Sequence, residues 1–158
     1  MFATLVHIRQ DTADLDFVID EAFPGAALVV PKPDRMASFG MTFPEFENRV
    51  FAAEELSDGT LRFLALAGAL LAYRLPPFIA LNEPEASLHA DLTPALARLV
   101  ARAAERSQVW LVTHARPLAD AIVATGVGTV RVVAKDQGAT RIEGLKAWGD
   151  FADEDEDE

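Results

Sequence analysis

Three short stretches of this chain set chemistry-bearing side chains at the ends of regular elements. The first is Leu56-Ser57-Asp58-Gly59-Thr60, directly ahead of an apolar run. A serine in that place caps a helix, whose first turn carries free N–H groups and the positive end of the helix dipole. Such a terminus suits a phosphate, and Gly59 lets a ligand approach the backbone closely. An ordinary N-cap accounts for the same residues. The second stretch is Phe78-Ile79-Ala80-Leu81-Asn82-Glu83-Pro84-Glu85. An apolar strand that ends in polar residues delivers them to the carboxyl edge of a sheet, where α/β proteins bind ligands. Glu83 is placed to polarise a water for attack on a phosphate, and Asn82 to face a metal-bound water. Equally, Glu83 and Glu85 can cap a helix after Pro84. The third is Val109-Trp110-Leu111-Val112-Thr113-His114, a second apolar strand with a polar end. His114 there can donate to a γ-phosphate or serve the fold alone.

The elements that must position these residues follow from periodicity and punctuation. Ala3–Arg9 reads as a strand and Thr12–Ala22 as a helix capped by Asp11 or Thr12. Ala26–Val30, Phe39–Phe43 and Arg49–Ala53 read as short strands, with a loop over Pro31–Arg35. Leu61–Tyr73 is apolar nearly all round, which predicts a buried helix stopped by Pro76-Pro77. Phe78–Leu81 is a strand and Asp91–Arg106 an amphipathic helix. Val109–Val112 is a second strand, followed by a helix over Pro117–Ala124. Thr129–Val133 and Thr140–Leu145 flank a hairpin turn at Asp136-Gln137-Gly138. Apolar strands alternating with helices predict a mainly parallel sheet covered on both faces.

Composition narrows the class. Half of the 158 residues are hydrophobic (51%), enough for a sizeable core. No cysteine is present, which excludes a disulfide scaffold and thiolate metal sites and fits a reducing cytoplasm. The amino terminus has neither the basic flank nor the apolar run of a signal peptide. The most apolar stretch, Leu61 to Leu75, is too short for a bilayer span and holds Arg62 and Arg74. The net charge is −11, but residues 150–158 hold seven acids and no base, leaving 18 acids against 14 bases elsewhere. Six consecutive acids repel one another, so the tail is expected to be a disordered, solubilising end. The body shows no basic stripe, so nucleic acid is expected only through partners.

The order of signature, helix, strand with glutamate, helix, strand with histidine is that of the C-terminal lobe of ABC-type ATPases. Within Glu55 to Ile122, the run ELSDGT, then NEPEASLH, then VTHA closely resembles AAA-family ATPases of the RecF–SMC-like group. The resemblance implies a P-loop NTPase fold, here its C-terminal half, with a β-rich lead-in over 1–54, the lobe proper over 55–149 and the tail over 150–158. It implies ATP as substrate and Mg²⁺ as cofactor. Ser57 and Gly59, with Asp58 between them, match the signature motif, which in the family contacts ATP bound by the opposite protomer. Glu83 matches the Walker B glutamate, the general base for the attacking water. Asn82 stands where an aspartate usually helps to hold Mg²⁺, and a neutral amide attracts the hydrated metal less. Ser87, Leu88 and His89 match the D-loop between protomers, and His114 matches the switch histidine.

One family element is missing. No G-x-x-x-x-G-K-[ST] pattern occurs, and none of Lys32, Lys135 and Lys146 follows a glycine. The stretch before Ser57 is too short for that loop and its usual lobe. A longer reading frame or a partner chain is therefore expected to supply it, and a homodimer or a partner ATPase lobe is the expected assembly. In the family the P-loop strand lies beside the strand of the switch histidine, so Val109–Thr113 is expected to keep an unpaired edge. Two other readings stand beside this one: a non-catalytic interaction or regulatory module that retains the fold, and a metal site of Glu83, Glu85, His89 and His114.

Overall fold

The computed structural model describes residues 14–31, 38–47 and 49–145. The expected strand Ala3–Arg9, the caps Asp11 and Thr12, most of the Pro31–Arg35 loop and the acidic tail lie outside them. The chain divides into two compact units, Met1–Gly128 and Thr129–Glu158.

In the first unit, helix α1 (Asp14–Ala22) buries Leu15, Val18 and Ile19, the three- and four-residue spacing of one helical face. Strands β1 (Ala27–Val29), β2 (Gly40–Thr42) and β3 (Phe51–Ala52) form an antiparallel sheet in that order, each within or close to its expected span but shorter. A 3₁₀ turn over Ala53–Glu55 leads out of it. Glu55 accepts from the Ala52 backbone N–H at 2.9 Å and from Arg49 at 2.7 Å. These two contacts, the backbone one foremost, hold its carboxyl below the usual carboxylate range.

Helix α2 spans Asp58–Leu70, three residues earlier at each end than the apolar run predicts. Its start is set by the Ser57 cap rather than by the first leucine. Its end comes at the Leu71 cap, well before Pro76, where Arg106 donates to the carbonyls of Leu70 at 3.4 Å and Ala72 at 3.3 Å. Strand β4 (Phe78–Asn82) follows, then a 3₁₀ turn over Ala90–Leu92 and helix α3 (Thr93–Ala104). The predicted single helix from Asp91 is thus split, with Pro94 in the first α-helical turn, where its missing N–H costs nothing. Strand β5 (Gln108–Val112) and helix α4 (Arg116–Ala124) complete the unit.

Helix α3 is the hub: it meets α1, α2, α4 and β5, and buries Leu96, Leu99, Val100 and Ala103. Phe63 of α2 is fully buried and meets Phe23 edge to face, ring centres 5.7 Å apart. Strands β4 and β5 pair in parallel, Phe78 opposite Gln108 through Asn82 opposite Val112. Ile79, Leu81, Val109 and Leu111 pack on the helical core. The alternate residues Phe78, Ala80, Asn82, Gln108, Trp110 and Val112 are exposed. The expectation of a sheet covered on both faces is corrected here: among the described residues one face is bare. Among them also β5 pairs with β4 alone.

In the second unit, β6 (Val133–Asp136) and β7 (Ala139–Ile142) form an antiparallel hairpin. The turn lies where expected, with Gln137 (φ 47°) and Gly138 (φ 87°) both left-handed as a type I′ turn requires. The first strand, however, begins where it was expected to end. A two-residue turn pairs Asp136 with Ala139, and counting back from there sets Val133 opposite Ile142.

Candidate functional site

The residues singled out by sequence fall into two clusters. The first is at the start of α2. Ser57 has extended backbone angles, and its Oγ accepts from the Thr60 N–H at 3.1 Å and lies 2.9 Å from Thr60 Oγ1. Its hydroxyl is therefore engaged as a helix cap. Ser57, Asp58, Gly59 and Thr60 line one surface groove of about 710 Å³ together with Ser87, Leu88 and His89. The signature-like and D-loop-like segments are thus neighbours. A Cβ on Gly59 would stand 2.9 Å from the backbone oxygen of Ser87, so glycine is required by the approach of the chain itself. Ser87, whose carbonyl makes that approach, is itself left-handed (φ 66°). His89 caps the next 3₁₀ turn, its Nδ1 accepting from the Asp91 N–H at 3.4 Å. Asp58 and Asp91 add two carboxylates to the groove lining.

The second cluster sits at the carboxyl ends of β4 and β5, and none of Asn82, Glu83 and His114 belongs to the groove lining. The Glu83 N–H donates to the Val112 carbonyl at 2.8 Å, which prolongs the ladder by one bond. Glu83 then turns left-handed (φ 46°), a conformation that costs a non-glycine residue on the order of 1–3 kcal/mol and persists where surroundings impose it. Its carbonyl accepts from the Ala86 N–H at 3.0 Å and from Arg62 of α2 at 3.2 Å. One carboxylate oxygen of Glu83, Oε1, is buried without a hydrogen-bond donor. The His114 Nε2 lies 3.6 Å from that oxygen, on a side chain that is 92% exposed. Parallel register explains the meeting, because strands that start together end together. Asn82 ends the bare face of β4, opposite Val112.

Two polar residues and one backbone N–H that sequence reading does not assign to the site take part in it. Arg62 reaches the Glu83 carbonyl, Thr113 donates its hydroxyl to Glu85, and the Ala115 N–H donates to Thr113 Oγ1 at 2.9 Å. The sequence offers Glu85 as a helix cap or metal ligand, yet its partner is a side chain 28 residues away. The position of Thr113 beside His114 was the available signal. The metal constellation of Glu83, Glu85, His89 and His114 is not assembled: among the described residues no three such side chains gather around one point. His89 is held by its own turn, away from the strand ends.

A two-stranded parallel core with its polar residues at the strand ends, flanked by α2 and α3, has the form of an ABC-like lobe, and comparison agrees. A family profile described as "AAA domain, putative AbiEii toxin, Type IV TA system" matches residues 5–119. Among solved structures, an SMC ATPase described for ATP-driven dimerization and DNA-stimulated activation superposes with a TM-score of 0.66 at 15% identity, over 92% of this chain and 91% of that one. The Smc head domain of Pyrococcus furiosus, solved with the C-terminal domain of ScpA, gives 0.65 at 15% identity, over 87% of this chain and 34% of that one. The SMC head domain from Thermotoga maritima gives 0.57 at 17% identity, over 89% and 49%. At these identities the likeness is one of fold. No curated protein matches. The fold is that of the ABC-like P-loop ATPases of RecF/SMC type. The chain belongs to the AAA-domain family whose profile it matches over most of its length. Among the described residues no helix is long and apolar enough to cross a membrane.

Proposed function

We propose that residues 1–149 are the signature, Walker B and switch-histidine lobe of an ATPase. In this reading the lobe binds and hydrolyses ATP once a longer chain or a partner, such as a second ATPase lobe, supplies the P-loop. The observation that carries the reading is the pairing at the strand ends: Glu83 with a buried carboxylate oxygen that has no donor, 3.6 Å from an exposed imidazole. A buried carboxylate oxygen left without a donor is costly, which favours a site that binds something there. A water between Glu83 and a phosphate would satisfy it, with Glu83 accepting the proton and His114 meeting the phosphate oxygen. Mg²⁺ would neutralise charge on the phosphates. Of its expected holders this chain contributes Asn82, through water, and the rest would come with the P-loop. The groove at Ser57, Asp58 and Gly59, with Ser87, Leu88 and His89 along it, would face the nucleotide of the opposite protomer.

The test is hydrolysis. The chain alone is expected to release no phosphate above background, whereas a complex that includes the P-loop segment turns over with Mg²⁺. In that complex Glu83→Gln removes the basic oxygen and keeps shape, so turnover should fall ~10²–10⁴-fold while ATP still binds. Unchanged turnover would make Glu83 a residue of the turn only. A non-catalytic interaction module is the second reading, favoured by the bare sheet face with Trp110 at 60% exposure. Wild-type complexes that assemble but bind no ATP would establish it.

A further inference from the structure

We infer that Glu85 and Thr113 are positioning residues, a side-chain latch that fixes the turn carrying Glu83 against the loop carrying His114. The significance of that spacing rests on the reading of Glu83 and His114 given above; the latch itself does not. Backbone pairing between β4 and β5 ends with the Glu83 N–H on the Val112 carbonyl. Beyond that bond the chain diverges, into the 83–89 turn on one side and toward α4 on the other. Among the described residues, the hydrogen bond that joins the two segments past this point runs from the Thr113 hydroxyl to Glu85 Oε1.

The hydroxyl of Thr113 acts twice. Besides donating to Glu85, it accepts from the Ala115 N–H at 2.9 Å. His114 therefore has both neighbouring residues tied to the same oxygen, while its own ring is exposed and packed by little. On the other strand, Glu83 holds a left-handed conformation that its side chain does not favour. Its carbonyl is held by Arg62 and the Ala86 N–H, and Glu85 anchors the following residues to β5. The second oxygen of Glu85 is buried without a partner. A turn that needed only a local cap would not bury a carboxylate to reach the neighbouring strand. A charge-assisted bond of this kind adds rigidity where backbone pairing has stopped.

The experiment needs no nucleotide, so its outcome stands apart from whether the protein hydrolyses ATP. Thr113→Val and Glu85→Ala remove the bond; Thr113→Ser and Glu85→Gln each keep an acceptor or a donor for it. Amide hydrogen exchange and the ring C–H resonance of His114 are followed by NMR in the whole chain. In the two disruptive variants the Glu83 amide is expected to exchange roughly 10- to 100-fold faster, the loss of one hydrogen bond to a charged group. The His114 resonance should move, amides of α3 should keep their protection, and the conservative variants should restore both signals. The double variant Thr113→Val/Glu85→Ala should be no worse than Thr113→Val alone, which also removes the bond from the Ala115 N–H. Unaltered Glu83 exchange and an unmoved His114 resonance would overturn the latch. So would protection lost equally across α3, or additive effects in the double variant. If Thr113→Val does not fold, Glu85→Ala carries the same comparison; failure of both to fold would show a tie of the whole fold and overturn the positioning role.

Discussion

The two faces of the β4–β5 pair are built from the same kinds of residue and have opposite fates. Ile79, Leu81, Val109 and Leu111 pack on the helices, whereas Phe78, Trp110 and Val112 on the other face are 49%, 60% and 44% exposed. Strands that are apolar on both sides belong to sheets buried on both sides. The difference teaches that the strand sequences are suited to a partner surface that the described residues do not contain. It also locates the stability of the lobe on the helical side.

The largest effect that tests this contrast is in the core. Phe63→Ala should destabilise by about 3–5 kcal/mol, as for other large buried aromatics, whereas Trp110→Ala should change stability by no more than about 0.5 kcal/mol. Urea unfolding of both variants measures it, and similar losses would mean that Trp110 is covered after all. A smaller effect is expected at Gly59, where close packing reaches the groove. A methyl group there gains helix propensity of about 1 kcal/mol but would stand 2.9 Å from the Ser87 carbonyl oxygen, a backbone atom rather than the end of a flexible side chain. Overpacking wins, and Gly59→Ala should lose about 1–3 kcal/mol. A stabilised variant would break the claim that chain approach, not ligand approach, requires this glycine.

The smallest effect concerns the bare face itself. With a net charge of −11, copies of the chain repel one another at low ionic strength. Added salt shortens the range of that repulsion and leaves the apolar attraction intact. Self-association followed by light scattering should therefore rise with salt, and Trp110→Lys should suppress the rise. A monomer at high salt in the unaltered chain would sharpen the comparison the other way, since the bare face would then be tolerated without a partner.

Much of the site was legible in the sequence because its causes are local. Ser57 ahead of an apolar run had to cap a helix, and two short apolar strands ending in Asn82-Glu83 and Thr113-His114 had to bring those ends to one edge. Boundaries moved where a local signal competed with another: α2 obeyed its cap, the Asp91 helix yielded to a 3₁₀ turn, and the hairpin obeyed its two-residue turn. Among the described residues the type of each element survived because it depends on many residues, its limits on one or two.

The sequence by itself determined the family, the order of elements and the chemical identity of the groups at the strand ends. Tertiary structure alone decided what those groups touch. Arg62 meets the Glu83 carbonyl from 21 residues away, Thr113 meets Glu85 from 28, and Ser87 closes on Gly59 across the same fold. Periodicity and capping act within a turn or two of the chain, so they can be read along it. Pairings of this kind arise only when packed helices and a parallel register bring distant segments together, and no pattern of spacing encodes them.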